Sequence, residues 1–173
     1  MVWKIRRGMP VAPESPRDGF IELSELGEGP PRDAWLHWEN LRSGRDMPRR
    51  EDLDPVAIPK LLMHTIMVDV VDEPLDFIYT IVGQEFIETF GVNPRGQSVS
   101  AFAATRPPQA RAFTDIYARV YHAKRPFAYG GAVGAHERSQ VYRECVWLPL
   151  SVPDKGVDRI WCAMRFSLVE DIT

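Results

Sequence analysis

The residues of this chain best suited to acid–base chemistry or metal binding are its four histidines. They are scattered along the sequence, at His37, His64, His122 and His136. No pair has the spacing of a zinc motif such as HExxH, so no metal site is predicted. His122, near the end of a long helical pattern, is the candidate for a haem ligand. Because Val120 and Tyr121 hold the apolar face of that helix, His122 is expected at the rim, and haem is disfavoured.

Serines and carboxylates are the other side chains with catalytic potential. Ser98, Ser100 and Ser151 lack the glycine frame of a nucleophile elbow, and no glycine-rich phosphate loop occurs. Four acids surround the first predicted hairpin: Asp69, Asp72, Glu73 and Asp76. Acids beside a turn usually form a solvated edge. An enzyme is therefore not expected, although a small α+β enzyme with Asp69 or His64 as the base stays open.

A cluster of alternating charges precedes the first predicted strand. It contains Arg42, Arg45, Arg49 and Arg50 together with Asp46, Glu51 and Asp52. The arginines could bind an anion or a partner protein, or they could form an internal salt-bridged clasp. Interleaved acids favour the clasp. Arg42, Arg50 and Asp54 are the candidate residues, and Arg50 with Asp54 is the predicted ion pair.

The composition of the chain limits the classes of function that these residues can support. The chain has 173 residues, of which 45% are hydrophobic and 26% charged, as expected for one soluble domain. Its net charge of −3 provides no basic field for nucleic acid. No apolar run reaches the ~20 residues of a membrane helix. Cys145 and Cys162 lie inside strand-like runs, which indicates buried thiols in a reducing, cytoplasmic compartment.

Three segments are predicted to position the side chains. Residues 1–32 are rich in proline and are read as an extended arm. Residues 33–62 form a helical segment, in which Asp33 is the expected N-cap and Trp35, Trp38 and Leu41 share one stripe. The two tryptophans could pack on their own sheet or on a partner's, so both are candidate partner contacts.

Residues 63–173 follow the order strand, strand, short helix, long helix and three strands. The β-branched runs near residues 64–72 and 77–82 predict a hairpin. Gly91 is expected to close the short helix, and Arg125-Pro126 to stop the long one. Tight turns between neighbouring strands favour an antiparallel arrangement. The prediction is an α+β fold with a five-stranded antiparallel sheet, helices on one face and a preceding N-terminal helix.

Residues 33–169 resemble the PAS-like domain family common in alphaproteobacteria, formerly a domain of unknown function. The pattern is carried by Trp38, Leu41, Arg42, the run 44–50, the run 52–55, Phe77, Tyr79, Val82, Gly83, Gly91, Gly96, Arg125, Pro126, Glu144 and the run 148–151. The resemblance implies a PAS fold and a signalling or regulatory role, and it names no ligand. A PAS flavin photosensor needs a cysteine on its helical insert, and none precedes Cys145. Flavin is therefore disfavoured, and the cofactor is unknown.

Such a fold offers a cavity between its helices and its sheet. Seven candidates could line it: Tyr79, Phe86, Phe90, Phe113, Tyr117, Trp147 and Met164. Tyr79, Tyr117 and Trp147 would supply polar handles for a small molecule. The same aromatic stripe is also what an ordinary packed core requires.

The expected function is that of a stand-alone sensory or regulatory protein. It would signal through a small ligand, through contact with a protein partner, or through both. The N-terminal helix or the exposed sheet is the expected contact, in a homodimer or with another protein. Neither nucleic acid nor a membrane is an expected partner. The alternatives are the small enzyme described above and a ligand-free dimerisation module.

Overall fold

A six-stranded antiparallel sheet forms the framework of the computed structural model, which describes residues 8–12, 18–105, 108–132, 141–153 and 155–168. Its strands are β1 (Gly19–Ile21), β2 (Thr65–Asp72), β3 (Leu75–Val82), β4 (Phe127–Ala132), β5 (Val141–Val152) and β6 (Gly156–Leu168). They lie in the order β1-β4-β5-β6-β2-β3. The α+β class and the antiparallel sheet are confirmed.

Along the chain, the helices lie in two groups, one between β1 and β2 and the other between β3 and β4. They are α1 (Pro30–Arg42), α2 (Pro59–Leu62), α3 (Gln84–Phe90), α4 (Val99–Ala104) and α5 (Pro108–Ala123). Short 3₁₀ helices occupy Leu23–Glu25, Arg50–Asp52 and Pro55–Ala57. Gly91 closes α3 in a left-handed conformation, as the sequence predicts. In contrast, α4 was not predicted; Ser98 caps it by accepting a hydrogen bond of 3.1 Å from the backbone N–H of Ala101.

Both faces of the sheet are covered. Successive strand residues point to opposite faces, so each strand contributes to two cores. On one face, Val68, Cys145 and Ile160 belong to a core that also contains residues of α3, α4 and α5. On the other face, Met67, Val146 and Trp161 belong to a second core that includes residues of α1. The interior between the sheet and α3–α5 is therefore separate from the layer beneath α1.

Two details of the predicted sheet need correction. The sheet has six strands rather than five, because the three residues of β1 pair with the edge of β4, with Gly19 opposite Gly130. Helices cover two faces rather than one, because α1 packs on the face opposite α3–α5. A three-residue strand inside a proline-rich arm is too short to show a period of two.

Helix α1 begins at Pro30 rather than after Asp33. Proline suits the first turn of a helix, where no backbone N–H donor is required. Trp38 is fully buried, and Trp35 and Leu41 pack against the same core as partly buried residues. The tryptophans thus pack on the sheet of their own chain.

Backbone hydrogen bonds protect the end of β6 that extends beyond its pairing with β2, and also the outer strand β3. The N–H of Ala12 donates to the carbonyl of Leu168 over 2.6 Å, and Leu168 donates in turn to Pro10 over 2.8 Å. On the other side, the N–H of Tyr79 donates to Gln97 over 3.1 Å. These bonds occupy backbone groups that an open edge would offer to another chain. Within the described ranges, no helix is long and apolar enough to cross a membrane.

Candidate functional site

The predicted cavity residues gather in the core between the sheet and α3–α5. The buried ones are Tyr79, Phe86, Tyr117, Trp147 and Met164. Phe90 packs against them as a partly buried residue. Phe113 belongs to α5, but its side chain lies outside the described part of the structure. The sheet and the helices thus bring the described candidates to one interior region.

Aromatic rings fill much of this interior. Phe86 and Phe90 stack with their centroids 4.4 Å apart. Tyr79 meets Phe102 of α4 edge to face at 5.7 Å. Phe102 was not among the predicted cavity residues, because α4 was not predicted. A ligand in this core would have to replace ring contacts, most easily those of the partly buried Phe90 and Phe102.

The interior also holds polar groups whose ionisation is suppressed. Burial raises the pKa of the Tyr117 hydroxyl well above its ordinary value, and the nearby indole of Trp147 opposes this shift only weakly. Burial likewise raises the pKa of Tyr79. Both tyrosines therefore stay neutral and can act as hydrogen-bonding groups. Their predicted role as polar handles for a small molecule stays a prediction.

Two thiols and a guanidinium belong to the same face of the sheet. Burial, with a smaller contribution from a hydrogen bond to Cys145, raises the pKa of Cys162 well above its ordinary value. Arg143 is buried too, which lowers its pKa, and it lies 5.6 Å from the Tyr129 ring. Sequence analysis gave Arg143 no role. Its alternation with Val141 and Cys145 was the signal that it shares their face.

The charged cluster before β2 forms ion pairs within the chain. Arg45 pairs with Asp52 at 2.6 Å, Arg42 with Glu39 at 2.7 Å, and Arg49 with Glu51 at 3.4 Å. The clasp interpretation matches these contacts, whereas the predicted partner of Arg50 was wrong.

Arg50 bridges two strands instead of pairing with Asp54. It donates to Asp158 at 2.7 Å and to Asp69 at 2.9 Å, and Arg159 donates to Asp69 at 2.6 Å. The hydrogen bond to Asp158 raises the pKa of Arg50 above its ordinary value. Asp54 instead accepts a bond of 2.9 Å from the N–H of Val56, which caps a 3₁₀ helix. Arg50 therefore pairs with the two carboxylates that the sheet brings close, rather than with Asp54, its neighbour in sequence.

The two candidate bases lie outside the aromatic interior. Asp69 is held by two arginines, which is a structural arrangement. His64 lies at the start of β2 and contacts Glu85 through its Nδ1 atom. His122 is exposed in the last turn of α5. In the described part of the chain, no group of three or more His, Cys, Asp or Glu side chains could hold a metal ion.

Comparison with known proteins agrees with this architecture. A family model described as "PAS domain" matches residues 29–165, which span α1 and most of the sheet. No curated protein and no solved structure matches the chain significantly. The match covers well over half of the sequence and includes the helices and strands that enclose the aromatic interior. The chain therefore belongs to the PAS domain family.

Proposed function

We propose that this PAS domain is a sensory or regulatory module that holds a small ligand between its sheet and α3–α5. The observation that supports this role most strongly is the set of neutral polar groups in that interior, Tyr79, Tyr117 and Trp147. In this interior Trp147 hydrogen-bonds the hydroxyl of Tyr117, and a ligand with a matching polar group would take over that bond. A ligand with an apolar body and one or two hydrogen-bonding groups suits these surroundings.

Binding would act on the helical layer. Phe90 of α3 and Phe102 of α4 are only partly buried, so their rings can move with the least loss of packing. Displacing them would shift α3 and α4 relative to β3. The ligand would thereby favour one arrangement of this layer over another.

The signal would be passed to another protein through non-covalent contact. Large exposed hydrophobic side chains mark α1 and the segments after it: Leu36, Val56 and Met63. Each of the three offers apolar surface to a partner. Helix α1 packs on β5 and β6, so a change in the sheet can reach this layer directly.

A second candidate function, ligand-free homodimerisation, is favoured by the same exposed residues. Val56 is 81% exposed, so its side chain is available for contact with a second copy. If dimerisation is the function, Val56→Asp would convert a dimer to a monomer in solution scattering. Asp54→Asn, which changes a neighbouring polar residue, is the matched control.

Binding rather than catalysis is the role we propose, since burial keeps the Tyr79 and Tyr117 hydroxyls neutral and the indole of Trp147 has no ionisable proton at neutral pH. The test compares the indole N–H resonances of protein as purified with those after unfolding and refolding in ligand-free buffer. We expect the Trp147 resonance to differ between the two samples, whereas that of Trp38, on the other face, stays in place. Coincident spectra would contradict an interior ligand.

Two tyrosine variants locate the ligand further. Tyr117→Phe removes the buried hydroxyl and keeps the ring, and it should abolish the difference at Trp147. Tyr121→Phe, on the same helix, removes a hydroxyl that donates to Asp72 at the surface, and it should leave the difference unchanged. If the difference at Trp147 were the same in the two variants, the ligand would not depend on the Tyr117 hydroxyl.

A further inference from the structure

A pocket of about 370 Å³ lies where the N-terminal segment meets α1, α3 and β6. Its lining comes from residues 8–10, Pro30, Met63, His64, Glu85 and Arg165. Neither Tyr117 nor Trp147 lines it, so it is distinct from the aromatic interior. Its size falls in the range of about 300–1,000 Å³ that is typical of small-molecule sites.

His64 is fixed at this pocket by the start of α3. Its Nδ1 contacts the carboxylate of Glu85, a side chain that is only 2% exposed. The backbone N–H of Glu85 donates to the carbonyl of Met63 over 3.0 Å, so the two segments are joined twice. Because a carboxylate accepts the hydrogen bond, Nδ1 is the donor, and Nε2 is left with a lone pair that can accept a proton or a hydrogen bond from a ligand.

Arg165 is held in a similar way. It donates to Glu144 over 2.6 Å and to the backbone carbonyl of Glu28. Glu144 also accepts a bond of 2.7 Å from the N–H of Gly27. The guanidinium is thereby anchored to both the sheet and the turn before α1, and its position does not depend on a ligand.

The two pairs expose their basic partners and bury their acids. The side chains of His64 and Arg165 are each 18% exposed, whereas those of Glu85 and Glu144 are 2% and 3% exposed. A molecule in the pocket therefore meets the imidazole and the guanidinium more readily than the two carboxylates. Met9, Pro10 and Met63 supply apolar surface beside them.

We propose that this pocket binds a small organic carboxylate. One oxygen of its acid group would accept a hydrogen bond from Arg165, and the acid proton would pass from the other oxygen to Nε2 of His64, which gives a charge-assisted bond that an amide cannot form. Its apolar body would lie against the methionine and proline side chains. Charge-assisted bonds of this kind are stronger than neutral ones, which favours the acid over its amide. The site is additional to the interior one, and the proposal holds whether or not the interior binds a ligand.

Isothermal titration of the full chain with benzoate and hexanoate tests the proposal, with benzamide and hexanamide as neutral controls. We expect at least one acid to bind saturably and more tightly than its amide by roughly tenfold. Equal binding of acid and amide would overturn the proposal. So would the absence of binding by both acids up to about 10 mM.

His64→Asn locates the site, because asparagine keeps a donor for Glu85 and removes Nε2. We expect it to weaken binding of the acid by roughly tenfold. His122→Asn, at the exposed end of α5, should bind like the original protein, and equal affinities of the two variants would overturn the proposal. Should His64→Asn fail to fold, the site is located instead by the imidazole nitrogen resonances of the unaltered protein, recorded with and without the acid. The acid must then shift the resonances of His64 and leave those of His122 in place.

Discussion

The indole Nε1 of Trp38 donates a buried hydrogen bond of 2.8 Å to the carbonyl oxygen of Pro149, 111 residues further along the chain. This bond fastens α1 to β5. Together with the burial of Trp38, it makes α1 the cover of the second sheet face. The family match starts at residue 29 and therefore includes this helix. A protein partner would meet the outer side of α1 rather than the sheet beneath it.

Loss of that bond should destabilise the fold measurably. Trp38→Phe leaves the Pro149 carbonyl without its donor and should lower the free energy of unfolding by about 1–3 kcal/mol, measured by urea denaturation. Trp35→Phe is the matched control, since Nε1 of Trp35 has no hydrogen-bond partner among the residues that the structure describes. Its cost should be within about 0.5 kcal/mol of zero. Equal costs would refute a specific role for the Trp38 bond.

Gly83 should be intolerant of any side chain. A Cβ atom at this position would lie 2.4 Å from the carbonyl oxygen of Met63 and 2.6 Å from that of Leu62. Gly83→Ala must therefore push α3 away from the start of β2, at an expected cost above about 2 kcal/mol. Urea denaturation measures this cost.

The control for that variant is Gly91→Ala. Gly91 has φ of +69° and open space around it, so alanine there costs only backbone strain of about 1–2 kcal/mol. Although Gly91 has the conformation that favours glycine, Gly83 should be the more sensitive position. The reverse order would show that the close approach of Gly83 to Met63 is wrong.

Arg50 should contribute more to stability than its neighbour Arg49. Arg50→Met deprives Asp158 and Asp69 of a partner and should cost about 1–2 kcal/mol at low salt. Arg49→Met loses only an exposed contact of 3.4 Å with Glu51 and should cost little. The cost of Arg50→Met should shrink in about 1 M salt, where surface charges are screened. No difference between the two variants would refute the bridging role.

A double-mutant cycle checks the corrected partner of Arg50. Asp54 caps a 3₁₀ helix and does not pair with Arg50, so the costs of Arg50→Met and Asp54→Ala should add to within about 0.5 kcal/mol. Arg50→Met and Asp158→Asn should be strongly non-additive, because they remove the same ion pair. Coupling between Arg50 and Asp54 would restore the pairing predicted from sequence.

Asp76 should make stability depend on acid pH. Burial alone would raise the pKa of Asp76, but hydrogen bonds from Ser100 and from the N–H of Phe77 outweigh it and lower the pKa. The stabilisation is therefore complete above the unfolded pKa of about 3.9 and is lost as the pH falls towards the lower folded value.

Asp76→Asn should thus destabilise the protein more at about pH 6 than at about pH 3. Urea denaturation at the two pH values measures the difference. Ser100→Ala removes one of the hydrogen bonds and should raise the pKa of Asp76 in a carboxyl NMR titration. An unchanged titration would show that Ser100 does not hold the carboxylate.

Sequence patterns predicted the long elements well, because β5 and β6 carry continuous apolar runs and Gly91 and Pro126 mark chain reversals. They did not predict β1, whose three residues form a strand only because the edge of β4 is there to pair with. They also missed α4, a helix of six residues with a weak periodic signal.

Side-chain partners were harder to predict than elements. Arg50 binds Asp158, 108 residues away, because the register of β2 and β6 sets Asp69 opposite Arg159 and brings Asp158 near. The contact of His64 with Glu85 depends similarly on the close approach of Gly83 to Met63. Such contacts follow from the tertiary fold, whereas sequence spacing reports local structure.

Native mass spectrometry of the freshly purified full chain, beside its denatured mass and an absorption spectrum, tests the interior ligand most directly. We expect a native mass that exceeds the denatured mass by that of a small molecule, and we expect the excess to be lost in Tyr117→Phe but retained in Tyr121→Phe. The absorption spectrum would identify the chemical class of a coloured ligand. A native mass equal to that of the bare monomer or dimer would contradict the account.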